Sequence, residues 1–165
     1  MTARMLLIED DPANLELMEY LLNAFGHTCL CAQNGTTGLE LALKESPDLV
    51  ICDVQLPLLD GYVVIRQIRS DPRLRHLPVV AVTALAMVGD REKLLAAGFD
   101  GYISKPIEPE GFVGTIEQFL PVPSAAPISQ NGSHDEGFAR TQTEEQRATH
   151  AAGKNRSPDG DHIDR

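Results

Sequence analysis

The chain predicts an α/β fold: a parallel sheet with helices on both faces. Three observations carry this. Short apolar runs such as Leu49-Val50-Ile51-Cys52 recur along the first 120 residues, and a run without alternation suits a strand covered on both faces. Stretches of helical periodicity separate the runs, so strand and helix alternate as a parallel sheet requires. The runs also end on or just before chemically capable side chains, namely Glu9 and Asp10, Asp53, Thr83 and Lys105. The carboxyl edge of an open α/β sheet is where such folds place their ligands.

Met5 to Ile8 reads as the first strand, followed at once by Glu9, Asp10 and Asp11. Pro12 suits the first position of a helix, with Asp11 as its N-cap. Leu15, Met18, Leu22 and Phe25 recur at helical spacing up to Gly26. Thr28 to Ala32 is the second strand. After a turn at Asn34-Gly35, Leu39, Ala42 and Leu43 mark a short helix that stops before Pro47. The third strand, Leu49 to Cys52, ends on Asp53. A loop from Pro57 to Gly61 precedes a helix carrying Val64, Ile65 and Ile68, which Ser70-Asp71-Pro72 closes. The fourth strand is Val79 to Val82, with Thr83 just past it. A helix from Asp90 to Ala97 has Leu94 and Leu95 inward and Gly98 as its C-cap, and Met87 is read as core. Tyr102-Ile103 is an edge strand before Ser104-Lys105-Pro106. Phe112, Ile116, Phe119 and Leu120 define the fifth helix.

Right-handed crossovers leave few ways to wind five such units. The flavodoxin-like doubly wound order 2-1-3-4-5 sets strands one and three side by side, which brings Glu9 and Asp10 next to Asp53.

Composition narrows the function classes. The formal net charge of −10 and the lack of a basic stretch or zinc-finger spacing argue against nucleic-acid binding. No apolar run reaches membrane-spanning length, and the N-terminal run is too short for a signal peptide. Cys29, Cys31 and Cys52 lack framework or zinc spacing, so free thiols in a reducing, cytoplasmic compartment are expected. From 121 to 165 the composition turns polar, with seven acids and five bases and no periodicity. A folded domain over 1–120 and a disordered polar tail over 121–165 are therefore expected.

Carboxylates this close repel one another, and a hard divalent cation such as Mg²⁺ relieves that with oxygen ligands. Lys105 would supply a compact positive charge for a phosphate, and Thr83 a hydroxyl donor. Tyr102 could swing between buried and exposed positions. Asp11 is read only as a cap, His27 and His76 as surface residues, and Cys52 as core.

With Leu7-Ile8-Glu9-Asp10-Asp11, Asp53 with Pro57 and Asp60-Gly61, Val82-Thr83-Ala84 and Tyr102-Ile103-Ser104-Lys105-Pro106 in order, the chain resembles the receiver domain of bacterial two-component response regulators over about residues 4–120. Within that family it is similar to single-domain receivers. The resemblance implies that Asp53 accepts a phosphoryl group from a sensor histidine kinase or histidine phosphotransfer protein. It implies Mg²⁺ held by the Asp10 and Asp53 carboxylates, the Gln55 backbone carbonyl and, through a water, Glu9. Lys105 would pair with the phosphoryl group across a cis bond to Pro106. Thr83 and Tyr102 would form the switch, and the outer face of about residues 88–120 would change its affinity for a downstream effector protein. The family often has two aspartates where this chain has Glu9-Asp10. No enzyme activity beyond self-phosphorylation and dephosphorylation is implied, and neither nucleic acid nor membrane is an expected partner.

Three other classes are less consistent with the residues. A phosphatase with an aspartyl-phosphate intermediate would need an acid where Gln55 stands. A dinucleotide-binding fold would need G-x-G-x-x-G after the first strand, where acids would instead repel a pyrophosphate. A degenerate receiver serving as a scaffold would be expected to lack acceptor-site residues, all of which are present.

Overall fold

The computed structural model describes residues 2–84 and 89–122. The elements run β1 (Arg4–Ile8), α1 (Pro12–Ala24), β2 (Thr28–Ala32), α2 (Gly35–Glu45), β3 (Leu49–Asp53), α3 (Gly61–Ser70), β4 (Val79–Thr83), α4 (Asp90–Ala97), β5 (Gly101–Ser104) and α5 (Pro109–Glu117). The five strands form one sheet in the order β2-β1-β3-β4-β5, and every pairing is parallel. This is the expected flavodoxin-like winding.

Alternation along the strands builds two cores. Leu6, Ile8, Val50, Cys52, Val79 and Ala81 point to one face, where Ala42 of α2, Val64, Ile65 and Ile68 of α3 and Leu94 of α4 cover them. Met5, Leu7, Leu49, Ile51, Val80 and Val82 point to the other, under Leu15, Met18 and Leu22 of α1 and Phe112, Val113 and Ile116 of α5. Both β3 and β4 are buried at every residue. That explains why the central strands read as unbroken apolar runs.

Several details differ from the sequence expectation. Phe25 is exposed because α1 ends at Ala24 and Phe25 is its C-cap, outside the helical register. Leu43 and Leu95 are exposed while Ala42 and Leu94 are buried. Adjacent helical residues diverge by about 100°, and the buried stripes of α2 and α4 are narrow enough to take only one residue of each pair. Asn34-Gly35 is a helix start rather than a free turn: the Asn34 side chain accepts from the Thr37 N–H, and Gly35 is the first helical residue. Thr83 is the last residue of β4. His27 is buried, not superficial. Its Nδ1 accepts from the Ala3 N–H at 3.3 Å, which leaves Nε2 to donate to Glu117 Oε1 at 3.1 Å. The expectations for Met87 and for the tail from residue 123 onward lie outside the described residues.

Candidate functional site

Register places the acids. Ile8 pairs with Cys52 across β1 and β3, so the next residues of the two strands, Glu9 and Asp53, emerge side by side at the carboxyl edge. Pro12 starts α1 almost at once, and the three acids before it have different fates. Glu9 turns inward and is fully buried, with Oε1 accepting from the Asp11 N–H at 3.1 Å. Asp10 stays at the exposed rim. Asp11 caps the helix, its Oδ1 accepting from the N–H groups of Ala13 and Asn14. One carboxylate oxygen from each of Glu9, Asp10 and Asp53 lies within 4.8 Å of the other two.

Asp53 ends β3 with a side chain that is only slightly exposed. Its Oδ1 accepts from the Gln55 backbone N–H at 2.9 Å, and its Oδ2 from Lys105 Nζ at 2.7 Å. The loop beyond Asp53 is clamped. The Val54 N–H continues the ladder to the Val82 carbonyl, and the Gly61 N–H returns to the Val54 carbonyl. A Cβ on Gly61 would stand 2.5 Å from the Asp53 carbonyl oxygen and 2.7 Å from Val54 Cα, so glycine alone permits this close approach. Asp60 caps α3 through the Val63 N–H.

Lys105 reaches the same spot from the far side. Its N–H donates to the Thr83 carbonyl at 2.8 Å, and its peptide bond to Pro106 is cis. Nζ stands 2.9 Å from Glu9 Oε2, yet that oxygen has no aligned hydrogen bond. We take the contact as an ion pair, since attraction between opposite charges depends on distance far more than on angle. Burial pushes the Glu9 carboxyl above its ordinary range, against the lowering effects of Lys105 and the Asp11 N–H. Burial disfavours the Lys105 charge too, but Asp53 and Glu9 outweigh it and hold the ammonium above its ordinary range.

Thr83 is buried at the end of β4, one residue beyond the partner of Asp53. Tyr102 is 36% exposed and borders a shallow cleft of about 420 Å³ with Arg91, Leu95 and Phe119. The structure thus gathers Glu9, Asp10, Asp53, Lys105 and the Gln55 backbone, sets Thr83 at the same edge, and holds Tyr102 outward. Sequence reading assigned Gln55 a carbonyl role; the contact it makes here is through its N–H. Gly61 as the clamp under Asp53 was not foreseen, although the Asp60-Gly61 pair was its visible signal.

The donor set fits a hard cation. It is all oxygen, it gathers three acids within ligand reach of one point, and it includes a buried carboxylate oxygen without an aligned donor.

The family profile described as "Response regulator receiver domain" matches residues 5–117. The polar-differentiation response regulator DivK of Brucella ovis is 40% identical over 120 residues, covering 73% of this chain and 98% of that protein. The receiver domain of a sensor histidine kinase from Pseudomonas aeruginosa PAO1, solved with a magnesium ion coordinated in its active-site cleft, aligns with a TM-score of 0.66 at 32% identity, covering 72% of this chain and 98% of that one. The chemotaxis protein CheY4 of Vibrio cholerae, at 23% identity and a TM-score of 0.69 over 73% of this chain and 100% of that one, shares the fold.

Proposed function

We propose, from the premise that this chain belongs to the response regulator receiver domain family of two-component signalling, that Asp53 is its phosphoacceptor. Receiver domains are signalling proteins rather than conventional enzymes, and they work with histidine kinases and downstream effector proteins. One observation carries the residue-level reading: Asp53 ends the central strand β3 with one carboxylate oxygen on the Gln55 N–H at 2.9 Å and the other on the Lys105 ammonium at 2.7 Å, and, unlike the fully buried Glu9, it keeps some exposure.

In this reading a carboxylate oxygen of Asp53 attacks the phosphorus of a phosphohistidine on a kinase or phosphotransfer protein. A P–O bond forms, the P–N bond breaks, and the leaving imidazole keeps the electron pair and takes up a proton. Such transfer depends on positioning and on neutralising charge over the equatorial oxygens. The Gln55 N–H and the clamped loop fix the nucleophile. Lys105 follows the charge from Asp53 to the phosphoryl oxygens, and Glu9 retains it nearby in the interval. Glu9, Asp10, Asp53 and Gln55 would hold Mg²⁺, the ion that the Pseudomonas receiver coordinates in its active-site cleft. The chemistry such an ion supplies is neutralisation of the acids and of the transferring group. The chain thereby promotes its own phosphorylation and its later hydrolysis.

Thr83 donates its hydroxyl to the new phosphoryl oxygen, and Tyr102 moves inward from its outward position. The face formed by β5 and its flanking helices then presents differently to an effector, which must bind the two states unequally for the switch to work. The setting for this exchange is the cytoplasm, where Cys29, Cys31 and Cys52 stay free.

Incubation with acetyl phosphate and Mg²⁺, followed by intact mass measurement, tests the acceptor. One added phosphoryl group, labile to acid and base and absent from Asp53→Asn, is the expected result. A label that persists in Asp53→Asn assigns the acceptor elsewhere.

A further inference from the structure

The loop between β3 and α3 holds a leucine in a conformation that leucine rarely adopts. Leu58 has φ +67°, and the Leu59 N–H bonds back to the Pro57 carbonyl at 2.7 Å. A bond spanning two residues around a positive central φ is a γ-turn of the rare, strained form. Glycine, asparagine and aspartate tolerate positive φ best. The Leu58 side chain recovers nothing from its own chain in return, being fully exposed.

Its neighbours are fixed. Leu56 is buried and Leu59 packs against the core beneath α2. Gly61 lies against the Asp53 backbone. The turn therefore presents one apolar side chain on a rigid stalk, five residues past Asp53, on the rim that a phosphodonor must cross. A side chain held this way gives up little freedom when it is covered, which favours its use as a docking contact.

We infer that Leu58 is a specificity contact for the protein phosphodonor, an apolar anchor that a phosphohistidine-bearing protein covers as it brings its imidazole to Asp53. The inference rests on the acceptor reading of Asp53. The occupant is a donor protein because the β3–α3 loop leaves the sheet at Asp53 itself, which puts Leu58 at the edge a donor must approach. A small donor such as acetyl phosphate brings too little apolar surface to cover a leucine.

The test compares two donors on the full chain and on Leu58→Gly and Leu58→Met. One donor is acetyl phosphate. The other is the autophosphorylated cytoplasmic part of whichever histidine kinase, among those encoded in the source genome, labels the wild-type chain fastest. Glycine relaxes the turn and removes the anchor, whereas methionine keeps apolar bulk. Normalised to the acetyl phosphate rate, kcat/KM for the kinase is expected to fall about tenfold in Leu58→Gly, mainly through KM, and to return to within about threefold of wild type in Leu58→Met. An unchanged ratio in Leu58→Gly overturns the inference, as does a fall carried by kcat alone. Labelling by acetyl phosphate but by no kinase also overturns it and leaves Asp53 as the acceptor. A chain labelled by neither donor refutes the acceptor reading itself.

Discussion

One methyl group decides whether the loop after Asp53 can close. Gly61→Ala would drive a Cβ into the Asp53 carbonyl and the Val54 backbone, and neither is the yielding end of a side chain. We expect a loss of about 2 kcal/mol or more, read as a lower denaturation midpoint, together with slower labelling by acetyl phosphate as Asp53 is displaced. Cys31 tests the electrostatics of a single thiol. Burial, with Glu19 adding to it, pushes that thiol up to about 11. A raised thiol pKa means less thiolate at neutral pH, by about a hundredfold for two units. Alkylation by iodoacetamide at pH 7.5 (roughly physiological) should therefore be far slower than for a free cysteine, and should accelerate only as pH approaches 11. Cys31 is itself exposed, so rapid modification at neutral pH would show that its thiol is not raised. At this scale the sequence exposed some roles and concealed others. Asp11 was legible as a cap because Pro12 follows it. His27 was not legible as buried, because its partners Ala3 and Glu117 are distant in sequence and a polar ring beside Gly26 carries no sign of them.

Helices show why periodicity located the elements but not every inward face. In α3, Val64, Ile65 and Ile68 are all buried and Asp60 caps the first turn, so pattern and packing agree. In α4, only Leu94 is buried, the N-cap is Gly89 at φ +97°, and no side chain caps it. The Leu94-Leu95 pair resembled a broad apolar face, yet only Leu94 turns inward and Leu95 is exposed, because α4 buries a narrower stripe than α3. The same physics makes α4 the weaker element, since helix stability in a protein comes mostly from its packed face and its caps. Native-state hydrogen exchange should show α4 amides exchanging at least about tenfold faster than those of α3. Equal protection would mean that α4 is held by contacts beyond Leu94. A lightly held α4 directly after the strand that ends in Thr83 suits an element with two packings.

The whole molecule was the most legible level, because strand register converts a linear pattern into a convergent one. Glu9 and Asp53 meet because Ile8 and Cys52 pair; the same order brings β4 beside β3 and β5 beside β4, so Thr83 and Lys105 reach the same edge. The fold therefore gathers three acids at one rim of a chain with a net charge of −10, with Lys105 as the cation in contact with two of them. Lys105 pairs with Glu9 and Asp53, one cation beside three acids, so negative charge remains at the mouth of the site. A cation that binds the folded rim and not the unfolded chain must stabilise the fold by mass action. At a hundredfold excess over Kd the gain is about 2.7 kcal/mol, or roughly 10 °C in Tm for a domain of this size. Mg²⁺ should therefore raise Tm well beyond NaCl at matched ionic strength, because general screening acts on all surface charges alike. Asp10→Asn separates the two effects: it removes one ligand at the exposed rim without touching the Glu9–Lys105–Asp53 contacts. The variant should retain the NaCl response and lose most of the Mg²⁺ increment. Equal shifts with the two salts in the wild-type chain, or an undiminished Mg²⁺ increment in Asp10→Asn, would show that the rim does not act as a metal site, and the cation's part in phosphoryl transfer would then have to be assigned to Lys105 alone.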